Sequence, residues 1–206
     1  MRAALPDWLG FELCRGLARP FGAARRSLQG SAGLACRALA GPELLAWCED
    51  GELELKPAQV RAALARGDLC LGAFDGAKLV GYSWLAFRPA PHTGGLWVHF
   101  HPAARYSYKK FVRPAYRNRK VSHALSAFAD APVFRRGRQF TLSFVNLSNR
   151  ASLRSTGRAG SSQASCSAAG SYRPWAAGGA GSAPACAEPC TPGVEGGAGG
   201  RGGWRR

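Results

Sequence analysis

Val112-Arg-Pro-Ala-Tyr-Arg-Asn-Arg-Lys-Val-Ser-His-Ala-Leu125 is the stretch on which the reading of this chain turns. Tyr106 to Val112 is apolar and aromatic-rich enough to read as a strand, and Pro114 ends it. Val121, Leu125 and Phe128 then share one face of a helix predicted over Val121 to Ala129. Between the two lies a basic turn, Arg117 to Ser122. A helix start carries backbone N–H groups without intrahelical partners and the positive end of the helix dipole, so such a turn suits an anion.

The pattern extends regularly in both directions. Upstream, Leu34 to Leu39 reads as a strand, Pro42 opens a helix to Trp47, and Pro57 opens a second helix that Gly67-Asp68 ends. Asp75-Gly76 separates two apolar runs, Leu69 to Phe74 and Lys78 to Phe87, which is a strong hairpin signal. Leu96 to Phe100 reads as a further strand. Downstream, Phe140 to Val145 is another, and Ala151 opens a short helix. This succession predicts an α/β fold with one mixed central sheet flanked by helices.

Val112, Pro114, Tyr116, Arg117, Leu125, Asn149, Ser152 and Gly160 fall where the GNAT acyltransferases carry their acyl-CoA-binding signature, and the chain resembles that family over about residues 33–160. In the family a strand ending in Val-x-Pro leads to a turn, Arg/Gln-x-x-Gly-x-Gly/Ala, then a helix, a second strand, and Asn-x-x-Ala/Ser before Gly-Phe. The resemblance implies an N-acyltransferase that moves an acetyl group from acetyl-CoA to a primary amine on a small molecule or peptide. It implies that Val112, Arg117, Asn118, Arg119, Lys120, Val121 and Ser122 surround the donor's pyrophosphate, and that Asn149 and Ser152 lie near its pantetheine arm. The chain departs from the pattern in places. Lys120 and Ser122 stand at the small positions of the turn, Asn118 where another glycine is common, and Thr156 where the family often has a tyrosine acid.

The implied reaction needs a deprotonated amine, a donor to the carbonyl oxygen, and positioning of both reactants. His99 and His101 titrate in the right range for a base, and a spacing of two puts them on one strand face. Tyr106, Tyr108 and Tyr116 are the alternatives to the missing acid, with Tyr108 taken as the catalytic candidate. Two histidines alone leave a metal under-liganded, so no metal is expected.

Charge supports a second reading. The chain carries +16, and residues 101–160 hold thirteen lysines and arginines against one acid, Asp130. Such a density attracts polyanions, and Tyr106, Tyr108, Phe111 and Tyr116 interleave with it as they would in a module that stacks on nucleic-acid bases. A catalytically inactive, vestigial GNAT-like protein is the third reading, motivated by the altered turn.

Residues 1–32 form an N-terminal extension in which Trp8, Leu9, Phe11, Leu13 and Leu17 could cover one side of a short helix. After Gly160 the composition turns abruptly to Gly, Ala, Ser and Pro, with no Leu, Ile, Phe or Met in residues 161–206. Such a tail buries too little apolar surface to offset chain entropy, so disorder is expected. The C-terminal strands of the family are expected to be missing, which would leave the last central strand with an unpaired edge. Seven cysteines without paired spacing predict neither a zinc site nor a disulfide framework. No run of about 18 apolar residues occurs, and the default expectation is a cytoplasmic protein.

Overall fold

Asp75 pairs with Lys78 across a two-residue loop, Gly76-Ala77, in which Gly76 takes φ +58°. The hairpin is the predicted one, with its turn one residue later than the Asp-Gly pair suggests, because Asp75 stays in the ladder. The computed structural model describes residues 14–22, 33–92, 97–158 and 162–163.

In chain order the elements are β1 (Cys14–Pro20), β2 (Ala35–Ala38), α1 (Gly41–Ala46), α2 (Pro57–Ala65), β3 (Leu69–Asp75), β4 (Lys78–Ala86), β5 (Ala90–Pro91), β6 (Trp97–Val98), β7 (Ala104–Val112), α3 (Val121–Ala129), β8 (Phe140–Asn146), α4 (Arg150–Arg158) and β9 (Ser162–Gln163). Seven strands make one mixed sheet in the order β2-β3-β4-β7-β8-β1-β9, while β5 and β6 pair separately. The β7–β8 pair is parallel.

The sheet is covered on both faces, which explains the near-continuous apolar runs of β3 and β4. Leu44, Val60 and Ala63 of α1 and α2 join Cys70, Phe74, Tyr82 and Trp84 in one buried cluster. On the opposite face Val121, Leu125 and Ala129 of α3 join Leu71, Ala73, Val80 and Leu85. Gly81 lets α3 come this close: a Cβ there would stand 2.9 Å from the Phe111 carbonyl oxygen and 3.0 Å from Val121 Cγ1.

The N-terminal segment corrects the reading of it as an extension. Residues 14–20 form an antiparallel strand along the whole of β8, from Cys14 opposite Asn146 to Pro20 opposite Phe140. Leu17 therefore belongs to a strand; Trp8, Leu9, Phe11 and Leu13 lie outside the described residues. The edge of β8, expected to be bare, is filled. Its unpaired N–H and C=O groups outweigh a weak local helical pattern. Within the segment read as a tail, Ser162 and Gln163 pair with Ala18 and Leu17; apart from these two, residues 161–206 lie outside the described residues.

A buried ionic cluster fastens β1 to the rest. Asp130, wholly buried at the end of α3, accepts from Arg19 Nη1 at 2.5 Å and Nη2 at 2.9 Å, and from Arg105 Nη2 at 2.9 Å. Arg105 also donates to Thr141 Oγ1 and to the Ala129 and Phe134 carbonyls. Burial pulls Arg105 down to about 10, and Asp130 opposes that shift. The one acid of the basic segment thus pairs with two buried arginines.

Candidate functional site

β7 and β8 run side by side only at their beginnings. Ala104, Arg105 and Tyr106 face Phe140, Thr141 and Leu142, and beyond these pairs the two strands share no ladder among the described residues. β8 meanwhile stays paired to β1 throughout. The sheet therefore opens between β7 and β8.

β7 is irregular where the opening begins. Trp84 faces Tyr108 and Tyr82 faces Phe111, so two residues of β7, Lys109 and Lys110, stand against Ser83 alone. This is a bulge, and Lys109 takes φ +44° in it. The two lysines leave on opposite faces. Lys109 Nζ reaches Gln59 Oε1 on α2 at 2.5 Å, and Lys110 Nζ reaches Ser126 Oγ on α3 at 2.8 Å. Lys110 is an exposed residue, yet desolvation of its ammonium, helped by Arg19, pulls it down to about 8. Sequence reasoning missed the bulge, since nothing in Tyr108-Lys-Lys-Phe111 marks it.

After β7 the chain makes a short 3₁₀ turn, Pro114–Tyr116, and then the basic turn. Asn118 and Lys120 have φ +66° and +57°. Lys120 stands at a glycine position of the GNAT pattern and Asn118 where another glycine is common, and both take the left-handed conformation that glycine adopts most readily. Lys120 is the N-terminal flanking residue of α3, which has no side-chain cap. The Val121 and Ser122 N–H groups thus have no partner inside the helix, while the His123 N–H reaches the Lys120 carbonyl at 3.0 Å. Arg117, Asn118, Arg119 and Lys120 are exposed, and Arg119 lies 5.1 Å over the Tyr116 ring. Val121 is buried against the sheet, Val112 is half-buried beside it, and the Ser122 carbonyl accepts from Ser126 Oγ.

Asn149 and Ser152 come together at the start of α4. Asn149 Oδ1 accepts from the Ser152 N–H at 2.9 Å, a helix cap, and Thr156 Oγ1 donates to the Ser152 carbonyl at 2.7 Å.

The catalytic candidates are dispersed. Of the strand expected from Leu96 to Phe100, Leu96 lies outside the described residues and only Trp97–Val98 pairs, because His101 closes a turn: its carbonyl accepts from Ala104 N and its Nδ1 from Ala103 N. A neutral His101 accepting at Nδ1 carries its proton on Nε2. His99 is exposed in the same segment. Tyr108 donates to Asp68 Oδ2 at 2.6 Å and accepts from Arg66 Nη2 at 3.1 Å. Burial first, and then its bond to Asp68, raise Tyr108 above the ordinary phenol range. Arg66 and Asp68 went unnoticed in the sequence, where Gly67-Asp68 marks only a helix end. Arg66 also lines, with Arg88 and Arg136, a basic recess of about 210 Å³ beside Tyr108.

No protein-family model matches the sequence, and no curated protein matches it. Solved structures do. A functionally unknown conserved protein from Staphylococcus epidermidis ATCC 12228 is similar with a TM-score of 0.55 at 8% identity, over 76% of this chain and 60% of that one. A GCN5-related glucosamine N-acetyltransferase region in a fungal multi-domain GH3 beta-N-acetylglucosaminidase is similar with a TM-score of 0.50 at 14% identity, over 75% of this chain and 20% of that one. The fold is GNAT-like. The chain thus spans less than two thirds of either protein, and the likeness is one of fold. Within this GNAT-like sheet, the opening between β7 and β8 faces the bulge, and the basic turn stands where β7 hands over to α3. Among the described residues no helix is long and apolar enough to cross a membrane, and no cluster of three His, Cys, Asp or Glu is placed to hold a metal.

Proposed function

We propose that this chain is an N-acyltransferase that takes an acetyl group from acetyl-CoA and passes it to a primary amine. The observation that carries the reading is the basic turn, where Asn118 and Lys120, at positions where the resembled pattern favours glycine, hold a left-handed backbone. The residues present fit a pyrophosphate. The Val121 and Ser122 N–H groups open an uncapped helix, and Arg117, Arg119 and Lys120 place three exposed charges around it. Acetyl-CoA supplies an acetyl group already activated as a thioester.

The chain's own groups divide the remaining work. The unpaired stretch of β7 leaves backbone N–H groups for an extended arm to use, and the bulge turns one of them out of the ladder. Tyr108 holds its proton at Oη in a hydrogen bond to Asp68, and its raised titration keeps that proton there, so it can orient a reacting group by hydrogen bonding but is a weak acid toward a thiolate. His99 is exposed while His101 Nδ1 accepts from the Ala103 N–H, so of the two histidines His99 is the one assigned to take a proton from an amine. Asn149 orders the turn into α4 through its cap.

The nucleic-acid reading has less support. Tyr106 is buried and its ring stacks on Tyr108, whose hydroxyl is engaged, so neither is offered to a base. The test is a melting curve with acetyl-CoA. A ligand that binds only the folded state at a hundred times its Kd adds about 2.7 kcal/mol, enough for a rise of several degrees.

A further inference from the structure

Arg66, Arg88 and Arg136 come from three separate parts of the chain to line one recess of about 210 Å³. Arg66 follows α2, Arg88 follows β4, and Arg136 lies in the turn that leads to β8. Among the described residues that line the recess, none is acidic. Asp68 pairs with Arg66 at 2.8 Å, whereas among the described residues neither Arg88 nor Arg136 has an ion-pair partner. Like charges gathered in one recess repel one another, and an anion relieves that repulsion.

Two of the guanidinium groups are held in place. Arg136 takes a left-handed φ of +49°, its Nη1 donates to the Gly67 carbonyl at 3.4 Å, and its Cζ lies 4.6 Å from the Phe87 ring centroid. Arg66 Nη2 donates to Asp68 and, at 3.1 Å, to the Tyr108 hydroxyl, while its Nε is buried with no hydrogen-bond partner among the described residues. The recess is open to solvent, since Arg88 and Arg136 are exposed. Trp97, 46% exposed, adds an aromatic ring 5.9 Å from the Arg66 guanidinium.

The recess and the basic turn lie toward opposite ends of β7. Gly81 faces Val112 near the turn, and Ala86 faces Tyr106 next to Phe87 and Arg88. From Tyr106 to Val112 the strand covers about 20 Å at 3.3 Å per residue. A donor whose phosphates sit at the turn and whose arm follows β7 brings its acyl end toward Tyr108, and Arg66 joins Tyr108 to the recess.

We propose that the acceptor is a small amine that also bears an oxyanion, a carboxylate or a phosphate, and that the Arg66, Arg88 and Arg136 recess binds this oxyanion. Guanidinium groups stay charged and present their N–H donors in a planar fork that matches either oxyanion. The chemistry of transfer is unchanged: the amine nitrogen attacks the thioester carbonyl, a C–N bond forms, the C–S bond breaks, and the proton lost by nitrogen ends on the departing thiolate. That the bound anion is an acyl acceptor rests on the function proposed above; the anion site itself does not.

Two measurements on the full chain separate these. The first is arginine modification by phenylglyoxal, read residue by residue by mass spectrometry, with chloride replaced by inorganic phosphate or by acetate at fixed ionic strength. Either anion is expected to slow modification of Arg88 and Arg136 at least about threefold relative to exposed Arg61 on α2. Equal modification with and without both anions overturns the proposal. So does protection by a single-stranded oligonucleotide in the absence of protection by either small anion, which would assign the recess to nucleic acid. The second is acetyl transfer from acetyl-CoA to β-alanine against its amide, and to O-phosphoethanolamine against ethanolamine. The anionic amine of at least one pair should be preferred at least about tenfold in kcat/KM, carried by KM. An Arg88→Gln, Arg136→Gln double variant should lose that preference while its melting temperature still rises with acetyl-CoA as in the parent. Acetylation of neutral and anionic amines at equal rates would overturn the acceptor assignment and leave the acyltransferase reading standing. Protected arginines in a chain that neither binds nor uses acetyl-CoA would overturn that reading and leave the anion site standing.

Discussion

Arg19 and Asp130, 111 residues apart, meet in a buried bidentate pair at 2.5 and 2.9 Å. The contact joins the strand at the N-terminal side of the sheet to the end of the helix that carries the basic turn. Arg105 shares the same carboxylate, so removing that acid leaves two buried guanidinium groups without their charge partner. Asp130→Asn should destabilise the chain by about 3–5 kcal/mol, measured by urea unfolding. A loss below about 1 kcal/mol would show that β1 is not held this way.

Gly81→Ala is expected to lower stability by about 1–3 kcal/mol, because the added methyl meets a backbone carbonyl and the Val121 side chain that seats α3. Comparison of its urea midpoint with that of an alanine at exposed Gly51, where a Cβ meets nothing within 4 Å, isolates the close approach.

At Lys120 the backbone conformation matters more than the side chain. Lys120→Gly relieves a left-handed residue but loosens the unfolded chain by a similar amount, so stability should stay within about 0.5 kcal/mol of the parent. Lys120→Val forces a β-branched residue to φ +57° and should cost at least about 1 kcal/mol. Equal stabilities for the two variants would remove the left-handed turn from the account.

Much of this fold can be read in the sequence because its signals are local. The Gly76 hairpin, the proline-opened helix α2 and the helix Val121–Ala129 each follow from turn chemistry or apolar spacing within about ten residues. What escaped depends on partners far away in the chain. Leu17 reads as one side of a short helix, and only the vacant edge of β8 makes its segment a strand. Lys109 becomes a bulge because β4 opposes it with one residue fewer. The candidate site divides the same way: Arg117 to Ser122 and Asn149 with Ser152 are contiguous candidates that the sequence offers, whereas Asp68 meets Tyr108 only through the fold.

Lys110 gives a pH signature. Its ammonium is pulled down to about 8 by desolvation, and the unfolded chain titrates near the ordinary 10.5. Between these values the unfolded state holds more protons, so this residue makes stability rise with pH from about 8 to 10.5 and contributes a constant penalty below 8. Lys110→Met should remove that rise. Trace acetylation of intact protein with acetic anhydride should give Lys110 an apparent midpoint near 8, and a midpoint near 10.5 would show that its ammonium is fully hydrated.

The claim at the centre of this account is that the left-handed basic turn still receives the phosphates of acetyl-CoA. The direct measurement is the melting temperature of the full chain with millimolar acetyl-CoA, alongside an Arg117→Glu and Lys120→Glu double variant. A rise of several degrees in the parent that vanishes in the double variant is the predicted result. No rise in the parent, or an equal rise in both proteins, would contradict it.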